Sequence, residues 1–312
     1  GKAGNLNGEI QPGGNPFEGA RAREYPNQPS GHTPSGEVFR KAAESLGYKP
    51  FPTPTAGMTQ AYTNLYKLHL GECVRGGFCS SHGCSQDAKA TPLSTTIPSL
   101  LKHDNFELRT LCNVIKVNTD SPDGKAGKKA TGVTYVDARG RQVEQPADIV
   151  VVASYVFNNA RLLMLSGIGK PYDPVTNTGV VGRNYAYQTS VSVRTFFEDR
   201  HFKTFMGGAS LGNSIDEYNG DNFDHSGLGF VGGGFMNTAV AGAAPVSRGG
   251  QVPEGTPSWG SEWKETLTHY YARNFPVSAH GGCQSYRDTY LDLDPTYKDA
   301  YGLPLVRMTF DW

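Results

Sequence analysis

Three of the chain's five cysteines, Cys73, Cys79 and Cys84, fall within one stretch of twelve residues. Gly71, Gly76, Gly77 and Gly83 lie around and between them. Glycine lets a backbone curl tightly, so closely spaced thiolates can converge on one centre. Three chemistries suit such a loop. An iron–sulfur cluster takes thiolates from a tight turn of chain. Zinc takes four ligands, commonly at shorter spacings than Cys73-x5-Cys79-x4-Cys84, and His82 is the one local candidate for a fourth. A disulfide with one buried thiol suits a secreted chain. Spacing alone leaves all three open.

Composition narrows the classes of function. The 312 residues suffice for one large or two ordinary domains. Twenty-nine basic residues balance twenty-nine acidic ones, so no general field draws the chain to nucleic acid or anionic lipid. The longest uninterrupted apolar run, Ile149 to Ala153, is much too short to span a bilayer, and no charged-apolar-small signal pattern opens the sequence. Any membrane attachment is therefore expected through a partner. Gly (39) and Pro (20) are abundant, but so are Tyr (16) and Phe (15), which argues for a loop-rich globular enzyme over a disordered chain. The sequence has no Met at position 1 and closes just after an apolar, strand-like run, Leu303 to Phe310, so an interior piece of a longer protein is expected.

Residues 1–34 are rich in Gly, Pro and Asn without helical or strand period and are expected to lie extended over a surface. Val38, Ala42 and Leu46 recur at helical spacing beside Phe39 and Ala43, with Ser35 to cap the helix and Gly47 to end it. Pro50, Pro52 and Pro54 forbid its continuation. Beyond the cysteines, Asn105 to Thr119, Ala130 to Asp137 and Arg141 to Gln145 predict a β-meander with turns at 121–128 and 138–140. Asp148 to Ala153 reads as a strand buried on both faces, running into a helix through Leu162, Leu163, Met164 and Leu165. Meander, buried strand and helix in this order occur where dinucleotide-type flavoproteins close their cofactor domain. Residues 186–312 offer strand-like pieces at 190–197 and 227–235, a helix over 262–271 and a polar stretch at 278–295. Mixed strands with long connections suit a substrate-covering domain. The expected fold class is α/β, or α+β, with domains at 1–185 and 186–312.

The run from Cys73 through GGFCSSHGCSQDAKATP resembles the cysteine segment of the gluconate dehydrogenase-like flavoprotein subunits, a branch of the glucose–methanol–choline (GMC) oxidoreductases. That branch shows a further cysteine where Gly76 stands here. ADIVVVASYVFNNARLLMLSGIG at 147–169 is similar to the second GMC signature, with Asn159-Ala160 in place of Ser/Thr-Pro and Tyr155 in place of Gly. GVVGRNY at 179–185 resembles the segment that approaches the flavin, and GGNPFEG with REYP near the start matches as well. The resemblance implies an incomplete FAD-binding GMC-type fold with a mixed-sheet substrate domain. It implies FAD held at Val114, Ala153, Ser154 and Asn184, and three thiolates, Cys73, Cys79 and Cys84, suited to a three-iron (3Fe-4S) cluster. It further implies oxidation of a sugar, polyol or sugar acid by hydride transfer to flavin, a cytochrome c subunit and a small accessory subunit as partners, and a periplasmic place at the membrane through them. The strand–GxGxxG–helix that receives the FAD pyrophosphate and the segment with the family's catalytic His pair do not appear in the sequence, so its catalytic residues are not named.

Gly227-x-Gly229-x-x-Gly232 has the dinucleotide spacing, but no buried strand precedes it and Gly233, Gly234 and Gly242 oppose a following helix. Gly208-x-Ser210-x-Gly212 has the hydrolase elbow spacing and supplies the rival enzyme class, a serine hydrolase using Ser210, although polar, turn-like sequence follows it. A non-catalytic electron-transfer or scaffold piece is the third class. Asp216, Glu217, Asp221 and Asp224 lack calcium-loop spacing and read as a solvated face. His280, between Ala279 and Gly281, could face a cleft as a catalytic imidazole or serve as a hydrogen-bonded structural histidine.

Overall fold

The structure, a computed structural model, describes residues 14–19, 27, 33–76, 82–121, 129–202, 212–230, 232–238 and 251–310. Its elements in chain order are α1 (Pro34–Ser45), β1 (Phe51–Pro52), β2 (Tyr62–Thr63), β3 (His69–Leu70) and α2 (Thr96–Leu100). Next come β4 (Asn113–Thr119), β5 (Ala130–Val136), β6 (Gln142–Pro146), α3 (Tyr155–Leu165), β7 (Gln188–Phe196) and β8 (Asn213–Ile215). The last are β9 (Gly234–Thr238), α4 (Ser261–Tyr270), β10 (Asn274–Gly282), β11 (Tyr290–Lys298) and β12 (Pro304–Thr309). The mixed α and β content, with antiparallel sheets and few helices, agrees with the expected class. The chain forms two compact units, 1–106 with 188–282 and 107–187 with 283–312. They differ from the linear division at 185: the chain does cross between units there, but 283–312 returns to the second unit.

The first unit is built on a five-stranded antiparallel sheet in the order β1-β8-β9-β10-β7. Alternation in β10 and β9 sends Val277 and Met236 to one face, where with Ile215 they meet Phe39 and Ala43 of α1. The start of α1 is set two residues earlier than expected: Pro34 takes the first helical position, and Thr33 is the cap, its hydroxyl accepting from Gly36 N at 3.2 Å. Asn213, fully buried, donates from Nδ2 to Gly36 O at 2.9 Å and ties the helix to β8. At one end of the sheet Phe275 packs with Phe197 and Phe202 at ring separations of 5.5 and 5.0 Å. The helix expected over 262–271 is present as α4, and the side chains of His269 and Tyr270 both bond Glu198 just beyond β7.

The second unit holds the meander as read from sequence: β4, β5 and β6 pair antiparallel, although β4 starts at Asn113 and not at Asn105. Leu111, with φ at 55°, breaks the extended path just before it. α3 follows, and its Ala160 is buried with Tyr185 and Leu291 beside Phe157, Met164, Val306 and Phe310. Ser166 Oγ, at the end of α3, accepts from Val117 N at 2.8 Å and joins helix to meander. The polar stretch at 278–295 supplies the end of β10 and the start of β11, joined by the irregular segment 283–289.

Of the strand-like piece expected at 227–235, only Gly234 and Phe235 are in a strand among the described residues. The buried strand expected after the meander is overturned outright. Asp148 to Ala153 forms no strand, and Ile149 and Val151 are each 81% exposed. An apolar run is held as a strand buried on both faces by neighbours on either side. Among the described residues no strand pairs with this one.

Candidate functional site

The cysteine loop belongs to the first unit. Cys73 and Cys84 pack against the same small apolar cluster, Met58, Leu70 and Ala88, so the glycine-rich turn does bring two of the three thiols to one place. Backbone bonds fix the approach, with Cys73 N donating to Met58 O at 2.8 Å and Gly71 N to Gln86 O at 3.0 Å. Gly71 is required there, because a Cβ would lie 2.4 Å from the Gln86 carbonyl oxygen. Burial pushes the Cys84 thiol up, but backbone N–H groups of Gln86, Lys89 and Ala88 outweigh it and bring the thiol below its ordinary value. Cys73 Sγ accepts from Arg75 N at 3.4 Å. Neither thiol is in a disulfide. Cys79 lies outside the described residues, and among those described no three potential metal ligands converge. Backbone N–H groups near sulfur favour the thiolate, the form that a metal or cluster ligand takes.

The residues implied for FAD lie in the second unit, on β4, at the entry to α3 and in the 179–185 loop. Val114, 40% exposed, stands opposite Tyr135 beside an irregularity in β4, the strand that packs along α3. Ala153 and Ser154 are exposed where the chain enters α3. Asn159 Oδ1 accepts from both Ser154 N (2.7 Å) and Ser154 Oγ (2.8 Å), and Tyr155 has φ at 72°, so the entry is a sharp, hydrogen-bonded corner. Asn184 is exposed with φ at 55°, a left-handed conformation that Asn tolerates, next to Tyr185, which packs on the helix. A helix start with exposed backbone beside a meander edge can receive an anionic, flat cofactor. The same unit holds a groove of about 600 Å³ lined by Leu111, Cys112, Asn113, Asp137, Ala138, Gly140 and Tyr301. Backbone and side-chain bonds from Arg141, with a further backbone N–H from Arg139, hold the Asp137 carboxyl below its usual range, and the Arg141 guanidinium stands 2.7 Å away as its counter-charge. Cys112 and Cys283 are half-buried thiols outside any disulfide.

His280 lies near the end of β10, stacked on Phe235 at 5.1 Å and 20°, so it belongs to a sheet face of the first unit. That face also carries Ser190, Ser192, Asn237 and Ser278, which sequence reasoning missed. The signal was in the strict Ser/Val alternation of SVSVR at 190–194, which sorts hydroxyls from apolar side chains between two faces.

The remaining motifs resolve simply. Gly229, in a turn, and Gly232 have φ of 73° and 104°, and no helix follows them, so the dinucleotide spacing is not a cofactor fingerprint here. Ser210 lies outside the described residues, and β8, not a helix, follows Gly212. Asp216 is buried and accepts from Asn15 Nδ2 at 2.9 Å, so it is not part of a solvated face.

The family described as GMC oxidoreductase matches residues 26–190, more than half of the chain, and the chain belongs to this family of FAD-binding oxidoreductases. It is 45% identical to the gluconate 2-dehydrogenase flavoprotein of Pantoea cypripedii over 96% of its own length and 48% of that protein. It is 34% identical to paromamine 6'-oxidase of Streptomyces fradiae over 57% of the chain and 30% of that protein. It is 27% identical to 2-methyl-1,2-propanediol dehydrogenase of Mycolicibacterium austroafricanum over 88% of the chain and 48% of that protein. The chain thus spans at most about half the length of these relatives. No helix among the described residues is long and apolar enough to cross a membrane.

Proposed function

We propose that the protein to which this chain belongs is an FAD-dependent dehydrogenase that oxidises a CH–OH group of a sugar, polyol or sugar acid. The observation that carries this is identity of 45% to a gluconate 2-dehydrogenase flavoprotein over nearly the whole chain, in which the meander and α3 form as read. FAD, when bound, supplies the hydride acceptor. Val114 would face it with its backbone, Ala153 and Ser154 would border it at the entry to α3, and Asn184 would shape the loop against it. Exposed carbons and amides at these four positions fit that role. The unit with the meander is assigned to the flavin domain, and the unit with the five-stranded sheet to the substrate domain. His280 is the imidazole on that sheet nearest in kind to a proton-handling group.

Cys73, Cys79 and Cys84 are the thiolates that would hold a three-iron cluster, whose chemistry is one-electron relay. The N–H donors around Cys84 support this reading. Electrons would pass to a cytochrome c subunit, with a small accessory subunit, in the periplasm at the membrane.

The test is direct. Protein purified with its native surroundings and then denatured should release flavin. A panel of aldonates, ketoses and polyols with a dye acceptor should bleach the flavin, with no requirement for a nicotinamide cofactor. Protein without flavin, or turnover that depends on nicotinamide, would overturn the reading.

A further inference from the structure

Just beyond β7 the chain runs beside the corner where α4 passes into β10. Phe197 N donates to Arg273 O at 2.9 Å, and Phe202 N to Ala272 O at 2.8 Å. Phe202, only 6% exposed, packs its ring on Phe197 and Phe275 at 5.0 Å each, so these two backbone bonds close the end of an aromatic cluster. The side chains above them are titratable or charged: Glu198, Asp199, Arg200 and His201 on the segment, His269 and Tyr270 on α4, and Arg273 at the corner. Arg273 links the two sides. Its Nε donates to His201 Nε2 at 3.1 Å, and its Nη1 donates to Glu198 O at 2.7 Å. A guanidinium has donors alone, so His201 Nε2 carries no proton in this arrangement.

His269 Nε2 lies 3.0 Å from both Glu198 Oε2 and Arg273 Nη1. With a proton it donates to the carboxylate, and without one it accepts from the guanidinium. The Tyr270 hydroxyl and the His269 ring hold the Glu198 carboxyl below its usual range, so it is ionised and already engaged. Asp199 and Arg200 stand 4.0 Å from each other. No carboxylate bonds His201 among the described residues.

We propose that His201 and Arg273 form a pH-sensitive clasp, which holds the 197–202 segment on the α4–β10 corner while His201 is neutral and releases it on protonation. A proton on Nε2 removes the acceptor for Arg273 and sets an imidazolium against a guanidinium. Glu198 can relieve that repulsion only by giving up Tyr270 and His269. A contact made by the neutral ring alone is present above the histidine range and is lost as pH falls through it. Release loosens the Phe197 and Phe202 backbone bonds and opens the aromatic cluster at the end of the sheet.

The experiment follows amide hydrogen exchange of 197–202 in the full chain, read as protection relative to the intrinsic exchange rate at about pH 7.5 and about pH 5.5. In the native protein the protection of Phe202 N–H should fall about tenfold at the lower pH, the worth of one charge-assisted bond. His201→Gln keeps an acceptor at both values and should stay protected at both. His201→Lys carries a fixed charge and should be unprotected at both. His269→Gln should lose protection with pH as the native protein does. Protection that does not change with pH in the native protein overturns the proposal, as does an equal fall in His201→Gln. A pH-insensitive His269→Gln also overturns it, because the sensing proton would then sit on α4.

Discussion

Arg161 on α3 donates from Nη2 to Asp299 Oδ2 at 2.6 Å, across 138 residues of sequence, with both side chains less than a fifth exposed. The same guanidinium donates to Pro304 O at 2.7 Å. Asp299 in turn accepts from the backbone N–H groups of Tyr301 (2.8 Å) and Leu303 (3.0 Å). One carboxylate therefore shapes the turn between β11 and β12 and fastens that hairpin to the helix at the centre of the second unit.

Asp299→Asn should lower stability by about 2–3 kcal/mol at neutral pH, because it leaves a largely buried guanidinium without its counter-charge. Burial pushes the Asp299 carboxyl up, but Arg161 and the two N–H donors bring it below the usual range. A depressed folded-state pKa contributes stability that is present above the unfolded value and is lost as pH falls through the folded one. The gap between native and variant protein in denaturant melts should thus be widest at neutral pH and narrow as pH falls below the ordinary carboxylate range. A gap that is constant across that range would show the effect to be packing alone.

Gly182 offers a second test. Its φ is 86°, its carbonyl accepts from Leu291 N at 2.8 Å, and an added Cβ would lie 2.0 Å from Leu291 O. Gly140 has a similar φ of 75° but open space around it. Gly140→Ala should cost about 1 kcal/mol, the left-handed penalty alone, and Gly182→Ala clearly more, because the hairpin must also move away. Equal costs in thermal melts would mean that the 179–185 loop yields freely.

Sequence was most informative where local pattern and tertiary demand coincide. The β4 to β6 meander alternates and turns on short loops, and the helix through Leu162 to Leu165 carries its own apolar stripe, so both were legible. Asp148 to Ala153 was misread because its pattern encodes neighbours, and none is present among the described strands. The cap of α1 was placed at Ser35 because a serine before a helical run looks sufficient. Pro34 fixes the first helical turn instead and moves the cap to Thr33. The polar sheet face stayed hidden for another reason. Its rows are made of residues from β7, β8, β9 and β10, and only the register joins them.

Ala153 allows the flavin site to be probed without disturbing the fold. It is exposed, so Ala153→Arg should change stability by no more than about 0.5 kcal/mol. If the position borders the cofactor, a long side chain there should exclude it. The expected result is normal circular dichroism and melting of the apoprotein with flavin content reduced severalfold, measured by absorbance after denaturation. Full flavin content in this variant would move the cofactor away from the entry to α3.

The cysteine loop makes the last prediction, and it depends on separating two roles. Serine substitution at Cys73, Cys79 or Cys84 should each remove a ligand, so bound iron should fall while substrate still bleaches the flavin and delivery of electrons to a haem partner slows. Cys112→Ser and Cys283→Ser are the controls, since each of these half-buried thiols stands apart from the loop. Cys84 should be the most sensitive of the three, because the backbone N–H groups of Gln86, Lys89 and Ala88 that outweigh burial favour its thiolate, and a serine hydroxyl stays neutral there. Iron analysis and low-temperature paramagnetic resonance on anaerobically prepared protein provide the measurement. Iron present in native protein, lost in the three loop variants and kept in the two controls, assigns the loop to a cluster. Native protein without iron, in which two of the loop thiols become unreactive to alkylation until reduced, assigns it to a disulfide, and stoichiometric zinc assigns it to a structural metal.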